Sequence, residues 1–156
     1  MLAPSCIETA FEDALARLLP GSRVETSTTS HSLSVRILDA AGKEIATAEI
    51  RRGTAASFEP ASYDAPLDGG TVDEDVQVAC ITGVEVEKRF RHQGVGRALL
   101  ARLIAFAHEW RVPAIYLCAL STDSTKEGDP ADFYAGAGFE DHGEARNGGM
   151  LMRLGL

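Results

Sequence analysis

The chain lacks the usual marks of a disulfide framework, a membrane span or a metal cluster. Its three cysteines, Cys6, Cys80 and Cys118, are odd in number, which excludes a fully paired set of bridges. Two of them fall in strand-like runs and read as reduced, buried thiols. No stretch approaches the ~18 consecutive apolar residues of a membrane-spanning helix. No basic segment leading into an apolar core marks a secretory leader, so a cytoplasmic setting is expected. The histidines, His31, His92, His108 and His142, are scattered with no pair at i, i+3 or i, i+4. They read as solvated or loop residues and give no metal site. Basic residues are the minority: 15 Lys and Arg against 23 Asp and Glu leave a net charge of −8. That balance argues against a nucleic-acid partner and suits a cationic substrate. Internal repeats and low-complexity tails are absent too.

A further absence is local. Between Lys88 and His108 there is no Asp or Glu, yet Lys88, Arg89, Arg91, Arg97 and Arg102 all lie there. Within this stretch Arg91-His92-Gln93-Gly94-Val95-Gly96 is a two-glycine loop running into an amphipathic helix. A helix N-terminus carries roughly half a positive charge and up to four unpaired N–H groups. Arginines are unfavourable there unless an anion neutralises them, so the loop reads as a phosphate seat. Gly94 and Gly96 have no Cβ and tolerate positive φ, which lets phosphates approach the backbone closely. A P-loop would end in Gly-Lys-Ser/Thr, and a dinucleotide fingerprint would need a glycine where Leu99 stands. Neither pattern is present. The alternative is a structural turn capping an ordinary helix.

The flanks favour the phosphate seat. Residues 78–86 are β-rich, with Val84 and Val86 on one face and Glu85 and Glu87 on the other. After the loop, Val95, Leu99, Leu100, Leu103, Ile104 and Ala107 recur at helical spacing. Trp110 packs at the end of this helix, Val112-Pro113 stops it, and residues 114–120 read as a buried strand. The result is a βαβ unit with its anion loop at the carboxyl end of the first strand, where ligands bind in open α/β sheets. Earlier, residues 7–19 show helical spacing up to Pro20-Gly21, and residues 23–28 form a further strand. Residues 32–38 and 44–50 alternate around Asp39-Ala40-Ala41-Gly42, which predicts a hairpin. Residues 52–75, rich in Gly, Ala, Ser, Pro and Asp and holding Phe58 and Tyr63, are long for a loop in a compact domain. They read as an insertion, with a substrate lid as the alternative. At 156 residues, 45% hydrophobic and 24% charged, the chain is expected to be one globular domain, 1–156.

Two motifs together carry a resemblance. Val84-x-Val86-x-Lys88-x-x-Arg91-x-x-Gly94-x-Gly96, followed by Ala98-Leu99-Leu100, is similar to the acetyl-CoA motif of the GNAT superfamily of N-acetyltransferases. Phe133-Tyr134-Ala135-Gly136-Ala137-Gly138-Phe139 resembles the C-terminal signature of that family, and the closing segment from Gly149 resembles its last strand. The likeness spans roughly residues 76–156. It implies an α/β fold: the GNAT acyl-CoA N-acyltransferase fold, a mixed, mostly antiparallel sheet of six or seven strands flanked by helices. It implies acetyl-CoA as the acyl donor and direct transfer to a primary amine of a small molecule or peptide. Homodimers are common in the family. Backbone groups of Val84 and Val86 are then expected to pair with the amides of pantetheine. N–H groups of His92, Gln93, Gly94, Val95 and Gly96 are expected to cradle the pyrophosphate, with Arg91 and Arg97 supplying charge. Two departures stand out: the long 52–75 segment, and the lack of an Asn between Ser121 and Pro130, where the family often places one. A CoA-binding or protein-interaction module on the same fold remains open, as does another acyl-CoA.

Acetyl transfer sets its own demands. An ammonium cannot attack a thioester, so an amine of pKa ~10.4 must first lose a proton. The thiolate expelled, with a pKa near the ~8.5 of a Cys thiol, is helped by a nearby acid. The resemblance places that acid on Tyr134; the other reading of Tyr134 is a packing aromatic beside Phe133 and Phe139, which are expected in the core. For the base, Glu85 and Glu87 are the strand-borne carboxylates, facing either the cleft or solvent, and Glu85 lies deeper in the strand. Cys80 and Thr82 occupy positions where the resemblance puts basic groups. A water relay to the Asp73-Glu74-Asp75 cluster is an equal alternative.

Overall fold

A computed structural model describes residues 4–54, 76–119, 130–144 and 149–156, with side chains from Glu8 onward. Most of the 52–75 segment, the Asp73-Glu74-Asp75 cluster, residues 120–129 and the Cys6 thiol lie outside the described residues. The elements run α1 (Pro4–Leu18), β1 (Arg23–Thr28), β2 (Ser32–Leu38), β3 (Glu44–Thr54) and β4 (Gln77–Val86). A 3₁₀ turn (Lys88–Phe90), α2 (Val95–Trp110), β5 (Ala114–Ala119), α3 (Pro130–Ala135), β6 (Glu140–Glu144) and β7 (Met150–Gly155) follow. The strands hydrogen-bond in the order β1-β2-β3-β4-β5-β7-β6. The β1–β2, β2–β3, β5–β7 and β6–β7 ladders are antiparallel and β4–β5 is parallel. This is the mixed sheet expected. Two compact units divide the chain, Met1–Arg51 with Thr82–Trp110 and Arg52–Ile81 with Arg111–Leu156.

In the first unit the apolar stripes foreseen from sequence are the core. Phe11 and Leu15 of α1, Leu19 just past its end, and Val95, Leu99, Leu100, Leu103 and Ala107 of α2 are buried, Ile104 is half-buried, and the two helices pack together. Alternation places Leu33, Val35 and Ile37 of β2 and Ala46, Ala48 and Ile50 of β3 inside as well. The β2–β3 hairpin forms where expected. Asp39 Oδ1 accepts N–H groups from Ala41 and Lys43, both at 2.9 Å, and Gly42 takes φ +84°, a conformation that costs glycine little. β3 then continues past Ile50 to Thr54, so the first residues of the 52–75 segment are strand. Among the described residues one charge is buried: Arg102 of α2, 7% exposed, donates through Nε and Nη2 to Glu8 Oε2 of α1. Thr26 of β1 donates to the other Glu8 oxygen at 3.3 Å. Desolvating a guanidinium is costly unless a carboxylate compensates it, so this pair ties α1, α2 and β1 to one arrangement.

In the second unit β5 is central. Its run Ala114-Ile115-Tyr116-Leu117 is buried throughout, as a strand paired on both sides requires. Val78, Cys80, Ala114, Tyr116 and Leu151 form one cluster, with Cys118 half-buried against it. Neither Cys80 nor Cys118 forms a disulfide among the described residues, and the Cys80 thiol donates to the Ile81 carbonyl at 3.8 Å. Two expectations fail here. Phe133 is 36% exposed rather than core, because the six residues of α3 bury Ala131 and Tyr134, and Phe133 lies one position off that face. His142 is not solvated: it sits in β6 at a register shift between Asp141 and Gly143 and meets the Tyr116 ring edge-on at 5.8 Å. A bulge of this kind redirects a side chain, and the polar Glu140–Glu144 run gives no hydrophobic alternation from which to foresee it.

The Arg102–Glu8 pair yields an asymmetric prediction. Glu8→Ala strands a buried cation and is expected to cost about 2 kcal/mol of unfolding free energy. Arg102→Met removes the charge that needs a partner and is expected to cost less than about 1 kcal/mol. Urea denaturation midpoints of the two variants measure the difference.

Candidate functional site

Helix α2 begins without a side-chain cap. Gly94, at φ +91°, accepts the first intrahelical bond, from Ala98 N–H at 3.0 Å. The N–H groups of Val95, Gly96 and Arg97 precede that bond and have no intrahelical acceptor. No acidic residue stands in the first turn. Residues 91–94 and Arg97 are exposed, Gly96 is half-exposed, and Val95 is buried, so Val95 offers its N–H while its side chain packs. Of the two glycines only Gly94 uses a positive φ; Gly96 is helical.

The approach to this helix start is braced from within. Arg91 Nε–H donates to the Val86 carbonyl at 2.8 Å, and the Gln93 amide donates to the Arg89 carbonyl at 3.2 Å. Glu87 N–H donates to Ile45 O at 2.8 Å, fixing the end of β4 to β3. The Glu87 carboxylate pairs with Arg89 at 3.1 Å and Lys43 at 3.5 Å, so it is a structural ion-pair partner. His92, a non-glycine residue, sits at φ +62°, a conformation costing of order 1–2 kcal/mol. The loop is thus strained, rigid and electropositive. It suits a polyanion approaching backbone N–H groups.

β4 supplies a second feature. Its ladder to β5 consists of Ala79↔Ile115, Cys80↔Tyr116 and Ile81↔Leu117, although β4 runs on to Val86. Glu85 is exposed on this stretch. A third feature is a carboxylate the sequence did not single out, Glu49 on β3. Burial pushes its pKa up, but hydrogen bonds from Thr82, Ser34 and Arg51, with the Arg51 charge, outweigh that and hold it below the usual carboxylate range. Its donors come from positions 33 and 15 residues away, Thr82 Oγ1 at 2.8 Å and Ser34 Oγ at 3.0 Å. Alternation alone marks Glu49 as one more outward-facing strand residue, so no sequence signal separated it from Glu44 or Arg51.

In the second unit the Phe-Tyr-x-x-x-Gly-Phe stretch proves to be a helix stop. Gly138, at φ +101°, donates to Ala135 O at 3.0 Å, and Phe139 donates to Tyr134 O at 3.2 Å. This is a Schellman ending, which requires a left-handed residue and favours an apolar contact across the turn. The Tyr134 and Phe139 rings supply that contact, 5.9 Å apart and edge-on. Tyr134 is 8% exposed, and burial raises its pKa above the ordinary phenol value. It holds its proton throughout the neutral range.

Comparison with known proteins follows the same lines. A model of the Acetyltransferase (GNAT) family matches residues 42–139. No curated protein sequence matches the chain. Among solved structures, Arabidopsis thaliana NAA60 in complex with acetyl-CoA superposes with a TM-score of 0.60 at 15% identity, covering 99% of this chain and 96% of its own. The Escherichia coli ribosomal-protein-S18-alanine N-acetyltransferase gives 0.52 at 17% identity, covering 99% and 90%. The PaiA N-acetyltransferase of Thermoplasma acidophilum in complex with coenzyme A gives 0.54 at 13% identity. The match covers 81% of this chain and 62% of that longer protein.

Gly94 and Gly138, the left-handed glycines of the two motifs, are testable together. A Cβ at Gly138 would stand 3.2 Å from Leu154 Cδ1 in addition to the strained φ, whereas at Gly94 the nearest atoms, of Leu18, lie at 3.7 Å or more. Gly138→Ala is expected to lower stability by about 2 kcal/mol and Gly94→Ala by about 1 kcal/mol, read from thermal unfolding.

Proposed function

The chain belongs to the GNAT acetyltransferase family, and from that premise we propose that it moves an acetyl group from acetyl-CoA to a primary amine of a small molecule or peptide. The observation that carries this reading is the start of α2: uncapped N–H groups at a left-handed Gly94, flanked by Arg91 and Arg97 and without an acid. Electrostatics asks for a diphosphate there. The β4 edge beyond Ile81 supports the second half of the reading. Backbone groups of Val84 and Val86 can pair with the amides of a pantetheine arm laid beside them like a short strand.

The bound thioester supplies an acyl carbon and a thiol leaving group; the protein's residues manage two protons. Tyr134 is assigned to the leaving sulfur through the resemblance of its motif. A phenol above its usual pKa of ~10 cannot fully protonate a thiolate of ~8.5 except uphill by at least about 2 kcal/mol. Its role is therefore to donate a hydrogen bond that lowers the thiolate's energy, with solvent completing the protonation. Glu85, exposed on β4, is the proposed acceptor of the ammonium proton, acting through water. No covalent enzyme intermediate is required. The Escherichia coli neighbour acts, by its name, on an alanine of ribosomal protein S18, which favours including peptide amines among the acceptors tried.

Tyr134→Phe tests the assignment. With acetyl-CoA and an amine acceptor, kcat is expected to fall by about 10²-fold, while CoA affinity measured by thermal shift stays within about twofold of wild type. A CoA-binding module would show the thermal shift with no turnover to lose. Absence of any shift with CoA would remove the acetyltransferase reading.

A further inference from the structure

We infer that Glu49 of β3, with Thr82 beside it on β4, anchors the ammonium group of the acceptor. The inference rests on the proposed function, because it takes the acyl group to lie along β4 beyond Ile81. Thr82 is the first β4 residue past the last β4–β5 pair, Ile81↔Leu117, and its hydroxyl is exposed. That hydroxyl donates to Glu49 Oε1, so its own lone pairs remain available to accept an N–H. Glu49 Oε1 also accepts from Arg51 Nε at 2.8 Å, and Oε2 accepts from Ser34 at 3.0 Å. An ionised carboxylate offers about four acceptor sites; these bonds use three. The Glu49 side chain is 32% exposed, enough for an incoming cation to reach the remaining site.

Neighbouring charges on this part of the sheet behave differently. Arg36 pairs with Glu44 at 2.8 Å and Glu25 at 3.4 Å, and Arg23 pairs with Glu25 at 3.3 Å. All are exposed pairs of the kind that contribute little. Glu49 instead is gripped by hydroxyls from the strands on both sides, which fixes its orientation without cancelling its charge. The Arg51 contact, to a guanidine 59% exposed, is weak enough to be exchanged for a substrate cation. The lowered pKa keeps Glu49 ionised at neutral pH and makes it a poor proton acceptor. It is a binding residue, separate from the proton acceptor proposed at Glu85.

The test uses the full chain saturated with CoA and propylammonium chloride as probe. NMR follows the Glu49 carboxyl carbon and the Thr82 amide, with tetramethylammonium chloride, which has no N–H, as the control. A saturable shift is expected with propylammonium alone, weakened about tenfold in Glu49→Gln and reduced in Thr82→Val, which keeps the charge and removes the hydroxyl. Equal shifts in Glu49→Gln, or equal shifts with both cations, would overturn the inference. In thiol-release assays with a pentapeptide bearing a free α-amine, Glu49→Gln is expected to raise KM about tenfold with kcat within twofold. A lower kcat with unchanged KM overturns it. If native protein binds CoA but does not acetylate the pentapeptide, the proposed function fails for that acceptor, and the propylammonium titration decides the inference alone.

Discussion

Positive charge gathered at the positive end of α2 is the constraint around which the first unit is organised. Lys88, Arg89, Arg91 and Arg97 crowd a helix start that already carries a partial positive charge. Glu87 offsets part of it through Arg89 and Lys43. α2 itself is held by its apolar stripe against α1 and by the Arg102–Glu8 pair. A helix anchored so firmly cannot relax its first turn to disperse the repulsion. The proposed anion seat relies on this gathering of positive charge at the exposed end of the helix.

Left-handed glycines at opposite helix ends serve opposite purposes. Gly94 opens α2 and leaves N–H groups pointing outward; Gly138 closes α3 and draws the Tyr134 carbonyl into its own turn. In the first case the leading N–H groups are left without an intrahelical acceptor. In the second the backbone is satisfied internally, which fixes the ring of Tyr134 against Phe139. The same conformational freedom of glycine thus leaves N–H groups outside the helix ladder at one end and packs a side chain at the other.

The outward face of β2 and β3 shows how a carboxylate becomes more than a surface charge. Glu44 and Glu25 sit in exposed ion pairs exchanged freely with water. Glu49, in the same strand as Glu44, is partly desolvated, and that penalty is outweighed by hydroxyl donors on two neighbouring strands. The balance depends on register: Ser34 lies directly across from Glu49 in the β2–β3 ladder. A slip of one residue would turn Glu49 to the other face, away from both hydroxyls.

Periodicity and turn chemistry were legible in the sequence because they are local. The bounds of β1 and β2, the hairpin at Asp39 to Gly42, the apolar stripe of α2 and the two glycine motifs were all present in runs of a few residues. Tertiary structure alone decided what depends on residues far apart. It exposed Phe133 by giving α3 a narrow buried face, drew His142 inward through a bulge, and paired Arg102 with a carboxylate 94 positions earlier. It also assembled the Glu49 site from three strands. Local propensity is set by neighbours along the chain, whereas burial and the pKa of a carboxylate are set by neighbours in space, and those exist only once the strands are in register.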